Sequence, residues 1–125
     1  MSLAEKRLFL LDMDGTIYLS ETLFDGTVEF LRYVRETGGK YLFLTNNSSR
    51  GTDAYLAKMA RLGIEASADD FLTSADATIC YLRGRYSPEM VYYVCGTESL
   101  KSQLRRAGLQ VADTLQDGIG AVLLG

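Results

Sequence analysis

Short apolar runs alternate with helix-like stretches along this chain, and no other feature limits its fold as much. In residues 7–13 (RLFLLDM) the apolar side chains run on without a break, the pattern of a strand buried on both faces. Residues 41–44 (YLFL) and 90–94 (MVYYV) repeat it. Between them, Val28, Leu31 and Val34 recur at helical spacing over residues 27–36, and Gly38-Gly39 ends that helix. Ser48 or Ser49 is placed to cap a second helix, with Tyr55, Leu56, Met59 and Leu62 on one face and Gly63 as its stop. Further helices are expected over residues 75–82 and from Thr97 or Ser99 to Gly108, with short strands at Phe71-Leu72 and near Val111. Such alternation signals parallel βαβ units. The expected fold is therefore α/β, a three-layer sandwich around a parallel sheet. Its central strand should be the one ending at Asp12, with the Tyr41 strand and then the Met90 strand on one side only, the other half of the sheet coming from residues outside this chain.

Composition removes several classes of function. The 125 residues, 47% hydrophobic and 23% charged, suit one globular domain. Thirteen basic against 16 acidic residues give a formal charge of −3, so there is no basic field for nucleic acid. The longest apolar runs, about half a dozen residues, fall far short of the ~20 that a membrane-spanning helix needs. No secretory leader is visible, and Met1-Ser2-Leu3 reads as an expression leader. The absence of histidine excludes His-based triads and His-ligated metals. Cys80 and Cys95 lie too far apart for a CxxC motif and are too few for zinc. They are read as buried free thiols of a reducing, cytoplasmic protein.

The chemistry sits where the first strand runs out, in Asp12-Met13-Asp14-Gly15-Thr16. In open α/β sheets, ligands bind beyond the carboxyl ends of strands. Two ionised carboxylates so close together need a cation or a shared proton. All-oxygen ligation suits Mg²⁺, which takes one or two carboxylates and completes its shell with water and phosphate oxygens. Gly15 permits a tight turn directly after the pair. The competing reading makes Asp12 and Asp14 ordinary turn and cap residues. Against it, an acid that follows an apolar run is costly without a partner.

An apolar strand closed by Asp-x-Asp-Gly-Thr resembles the first motif of the haloacid dehalogenase-like (HAD) phosphohydrolases. The second buried strand ends in Thr45-Asn46-Asn47-Ser48-Ser49, similar to that family's second motif. The fuller match, DMDGTIY followed by LTNNSS, resembles the NagD-like, p-nitrophenylphosphatase-like branch. The resemblance implies a Rossmann-like HAD core of which this chain carries the N-terminal half. It implies that Asp12 is a nucleophile forming an aspartyl-phosphate and a Mg²⁺ ligand. Asp14 would act as general acid and then base, its main-chain carbonyl also holding the metal. Thr45 would hydrogen-bond the phosphoryl group, together with main-chain N–H groups around Gly15 and Asn46. A carboxyl in water is ionised at neutral pH, which suits a nucleophile, whereas a general acid has to keep its proton. Thr45 can equally cap a loop, and Asn46 and Asn47 can equally be turn residues. An acid at the second position of the motif points to phosphatase or phosphomutase chemistry.

The family's third-motif lysine and fourth-motif acidic pair cannot be placed. Lys101 reads as a solvated helix residue, and Asp113 and Asp117 lack a preceding apolar strand. Residues 1–117 are accordingly expected to be half of the core domain. Residues 118–125 (GIGAVLLG without its first glycine reads as a strand) should be the start of an inserted cap domain. The chain ends within an apolar run, as a truncated polypeptide would, and on its own it is expected to turn over little substrate. The implied substrate is a small phosphorylated metabolite; nucleotide, sugar phosphate, phosphoglycolate and pyridoxal phosphate all stay open. Two other readings compete. A phospho-acceptor module also gathers acids at the first strand, but its acceptor ends the third strand, which here reads Val94-Cys95-Gly96. A non-catalytic interaction module would pair its uncovered sheet edge with a second copy. Residues 17–25 are read either as a small flap over the site or as core.

Overall fold

The computed structural model describes residues 3–125. Met1 and Ser2 of the expected leader lie outside the described residues, and Leu3 opens a short 3₁₀ turn, Leu3–Glu5. Eight strands and four helices follow among the described residues: β1 (Leu8–Asp12), β2 (Tyr18–Leu19), β3 (Thr22–Leu23), α1 (Thr27–Glu36), β4 (Lys40–Thr45), α2 (Thr52–Arg61), β5 (Phe71–Thr73), α3 (Ser74–Arg85), β6 (Val91–Cys95), α4 (Glu98–Arg106), β7 (Gln110–Ala112) and β8 (Ile119–Leu124). None of these helices is long and apolar enough to cross a membrane. The chain divides into two compact units. One comprises the chain up to Thr45 together with Thr52–Leu72; the other comprises Asn46–Gly51 together with Thr73–Gly125.

In the first unit β1 and β4 run parallel with Leu8 opposite Lys40 and Asp12 opposite Leu44. Alternation along β4 turns Tyr41 and Phe43 inward, where they meet Leu31 and Val34 of α1 and Tyr55 and Met59 of α2. The periodicity read in these helices is what buries them. Gly38, at φ 73°, closes α1 as expected, and Gly39 N–H donates to the Val34 carbonyl. Arg35 lies 4.9 Å over the Tyr41 ring and pairs with Asp70 at 3.3 Å. Burial pushes the Tyr41 hydroxyl above its usual pKa, and the Arg35 charge opposes that rise.

Three expectations fail here. Strand β1 has a strand neighbour on one side only, as expected, but the neighbour of β4 away from β1 is β5, not the Met90 strand, in a three-stranded sheet of order β1-β4-β5. Nor is β1 buried on both faces: Leu8 and Leu10 are 57% and 58% exposed. The unbroken apolar run correctly marks two apolar faces, but α1 and α2 cover only the one shared with Tyr41 and Phe43. Helix α2 also starts at Thr52 rather than near Ser48, because Asn47 Oδ1 accepts from the Ser49 N–H at 2.9 Å and makes a turn there.

The second unit holds a parallel sheet in the order β7-β6-β8. Tyr92 and Val94 of β6 pack with Ala75 and Leu82 of α3 and with Leu100 and Leu104 of α4. Both helices are capped by threonine, Thr73 accepting from Asp76 N–H and Thr97 from Leu100 N–H. In each unit the described helices cover one sheet face, so each shows two of the three expected layers. The division expected after residue 117 does not separate the two units, since β8 pairs with β6 from Ile119 to Leu124.

Cys80 and Cys95 are free, as read, but exposed rather than buried. Helix α3 turns Ala75 and Leu82 inward, which leaves Cys80 on another face, and Cys95 follows the inward Val94 on the alternating strand β6. Lys101 is not simply solvated: it pairs with Glu98 at 2.8 Å, and that hydrogen bond raises its pKa. Asp113 does follow a strand, the short β7, and is bonded by Arg105.

Candidate active site

Register builds the site in the first unit. Asp12 is the last residue of β1 and lies opposite Leu44, so Thr45, one residue further, ends β4 at the same side of the sheet. Adjacent strands of a sheet are about 4.8 Å apart, which makes Asp12 and Thr45 neighbours by topology alone. The Thr45 hydroxyl lies 3.3 Å from the Tyr55 hydroxyl of α2. No sequence motif marked Tyr55 as anything but a core residue, and its phenol is a polar contact the spacing could not reveal.

Beyond Asp12 the chain folds into a tight turn. The Met13 carbonyl accepts from the N–H groups of Thr16, Ile17 and Tyr18 at 3.2, 2.9 and 3.3 Å. The Gly15 N–H donates to the Tyr18 carbonyl at 2.7 Å, and Asp14 bridges to Tyr18. Met13 is buried, while Asp12 and Asp14 on either side of it are exposed. Gly15 adopts φ 86°, and a Cβ there would meet nothing within 4 Å. Gly15→Ala therefore tests backbone conformation alone. It is expected to destabilise the first unit by about 1–2 kcal/mol, read from urea unfolding. In this turn the Gly15 N–H, expected among the phosphate-binding groups, is engaged by the Tyr18 carbonyl.

The segment after the turn is a hairpin, with Tyr18 opposite Leu23 and Leu19 opposite Thr22. The core reading of residues 17–25 holds for part of it. Ile17 and Tyr18 belong to the core, whereas Leu19 and Phe24 are exposed.

Asn46 opens the second unit. Its carbonyl accepts from the Ser74 hydroxyl at 3.2 Å, and it lines a pocket of about 300 Å³ with Ser48, Ser74, Thr78 and Leu100. Asn47 forms the turn with Ser49 already described.

Among the described residues no ion pair engages Asp12 or Asp14, and no three acidic or cysteine side chains converge as a closed metal cage. Two exposed carboxylates flanking one buried residue still fit a hard divalent cation, since Mg²⁺ is held by one or two carboxylates with water and phosphate oxygens.

Comparison with known proteins agrees with this geometry. Residues 9–110 match the family of haloacid dehalogenase-like hydrolases. The chain is 34% identical over 116 residues to D-glycerol 3-phosphate phosphatase of Mycobacterium tuberculosis, covering 93% of this chain and 32% of that protein. It is 34% identical over 105 residues to acid sugar phosphatase of Staphylococcus haemolyticus, covering 84% of this chain and 40% of that protein. The crystal structure of glycerol phosphate phosphatase from Mycobacterium tuberculosis in complex with magnesium superposes with a TM-score of 0.88 at 34% identity, over 99% of this chain and 37% of that one. The chain thus spans about a third to two fifths of the length of these relatives. With its two motifs at adjacent strand ends and its sequence aligned to phosphatases throughout, the chain belongs to the haloacid dehalogenase-like hydrolases, on their NagD-like, p-nitrophenylphosphatase-like branch.

Proposed function

We propose that the protein carrying this chain hydrolyses a phosphomonoester of a small metabolite, with Asp12 as nucleophile. The observation that supports this most is the register, which sets Asp12 and Thr45 at neighbouring strand ends with Asp14 on the turn beyond. An Asp12 carboxylate oxygen attacks phosphorus, and the bond from phosphorus to the ester oxygen breaks. Asp14 gives its proton to the departing alkoxide, so the leaving group departs as an alcohol. Asp14, now ionised, takes a proton from water as that water attacks the phosphorus of the aspartyl-phosphate. Inorganic phosphate leaves and the Asp12 carboxylate is restored. The Thr45 hydroxyl donates to a phosphoryl oxygen, with its position set by Tyr55. The Asn46 main chain lies next along the same loop.

The groups that would hold Mg²⁺ are the Asp12 carboxylate and the Asp14 main-chain carbonyl. Bound there, the ion supplies positive charge against the phosphoryl oxygens, where charge stabilisation matters most in phosphoryl transfer. A relative crystallised with magnesium supports this choice of metal. Relatives named for glycerol phosphate and sugar phosphates support a small polyol or sugar phosphate as substrate. Two free cysteines suit a reducing cytoplasm. In the 125-residue chain by itself, the outer edge of β1, beside exposed Leu8 and Leu10, is where a second copy would pair.

The test is phosphate release from p-nitrophenyl phosphate by the complete protein. Release is expected with Mg²⁺, lost on adding EDTA and restored by excess Mg²⁺. Release that persists in EDTA would overturn the metal assignment, and no release under any condition would overturn the phosphatase reading. The 125-residue chain alone is expected to turn over little.

A further inference from the structure

Lys58 of α2 is a cation with little access to water. Its side chain is 12% exposed, and its Nζ sits 3.7 Å from the centre of the Tyr18 ring. That ring is 2% exposed. The Glu21 carboxylate lies 3.9 Å from the same Nζ and 3.5 Å from the Arg61 guanidinium. Covering an ammonium group costs free energy unless opposite charge or a π face replaces its water. Here both do, and both come from the hairpin of β2 and β3.

Tyr18 joins that hairpin to the turn bearing Asp14. Its ring receives Lys58, while its carbonyl accepts the Gly15 N–H at 2.7 Å and its own N–H donates to the Met13 carbonyl. A displacement of Tyr18 therefore displaces the partner of Gly15. Glu21 is mostly exposed and sits at the hairpin's bend beside Ser20, whose φ of 53° marks a tight reversal.

We propose that Lys58 is a positioning residue: seated on the Tyr18 ring and tied to Glu21, it holds the hairpin so that Tyr18 fixes the Asp14-Gly15 turn. Lys58 touches neither carboxylate of the candidate site. Its effect on activity rests on the phosphatase reading, but its effect on the turn does not.

The test uses two readouts. In the 125-residue chain, Lys58→Met is expected to speed amide exchange at Gly15 and Tyr18 by about tenfold, with Leu31 and Val34 of α1 unchanged. Glu21→Gln, at an exposed position, is expected to give a smaller increase at the same two amides and keeps the test open if Lys58→Met fails to fold. In the complete protein, Lys58→Met is expected to lower kcat for p-nitrophenyl phosphate about tenfold with KM changed less than about twofold, and Lys58→Arg to restore most of kcat. Unchanged exchange at Gly15 in Lys58→Met, or in Glu21→Gln should the first not fold, overturns the proposal. So does a rise in KM with kcat intact. If the unaltered protein hydrolyses no phosphomonoester, the phosphatase reading falls, and the Gly15 exchange alone decides the role of Lys58.

Discussion

Asp12→Asn in the complete protein is expected to abolish p-nitrophenyl phosphate hydrolysis, lowering kcat by about 10⁴-fold or more, as loss of a nucleophile does elsewhere. Asparagine matches aspartate in size, so nothing in the packing of β1 changes. What goes is the anionic oxygen that would bond to phosphorus, and with it the carboxylate proposed to hold the cation. Stability should move the other way from activity. Asp12 is exposed and engaged by no ion pair among the described residues. Removing one of two like charges relieves repulsion, so the melting temperature in the absence of Mg²⁺ should equal or exceed that of the unaltered chain, the stability difference staying within about 0.5 kcal/mol. Asp14→Asn offers the companion measurement. With the nucleophile kept, it should slow an ester with a poor leaving group more than p-nitrophenyl phosphate, whose phenolate leaves without a proton. Equal losses on both esters would remove Asp14 from the acid role.

The ends of β1 and β4 are more legible in the sequence than the order of the sheet, and the reason is physical. Asp12 and Thr45 each close an apolar strand, and a strand end is written in adjacent residues: the run stops and a polar group appears. Their proximity then follows from parallel pairing, which the alternation of strand and helix already implies. Strand order has no such local record. The strand at Phe71-Leu72 is legible, but nothing in the three residues of β5 says where it pairs, and it takes the place beside β4 expected for the Met90 strand. Burial was misjudged for a related reason. An apolar run tells which side chains could be covered, not whether a covering layer is present, so Leu10 and Phe43 look alike in sequence and differ in the structure. Pairwise contacts across elements were hidden altogether. Tyr55 reaching Thr45, and Lys58 reaching Tyr18, join residues whose spacing carries no signal.

That difference between Leu10 and Phe43 sets up a large effect on stability. Phe43 is fully buried, with its ring 5.1 Å from Tyr41 and 5.3 Å from Phe71. Phe71 stacks in turn on Tyr55 at 6.2 Å, whose hydroxyl meets Thr45. Phe43→Ala would open a cavity at the middle of this chain of rings. Strands β4 and β5 are hydrogen-bonded neighbours and cannot close on the space, so the cost should be about 3–5 kcal/mol. A domain of this size is stable by only about 5–15 kcal/mol in all. Amide exchange at Val34 and Met59, both fully buried in the same cluster, should therefore accelerate by about a hundredfold to several thousandfold where exchange follows opening of the unit. Leu10→Ala, one strand away on the uncovered face, should change the same amides by less than about threefold, since little of its surface is removed from water. Comparable effects at the two positions would mean that a further layer covers Leu10 in solution. The proposed site shares in the outcome, because Phe43 stands two residues before Thr45 on the strand that places it. Phe43→Ala in the complete protein should then weaken phosphate release even at temperatures where the protein stays folded.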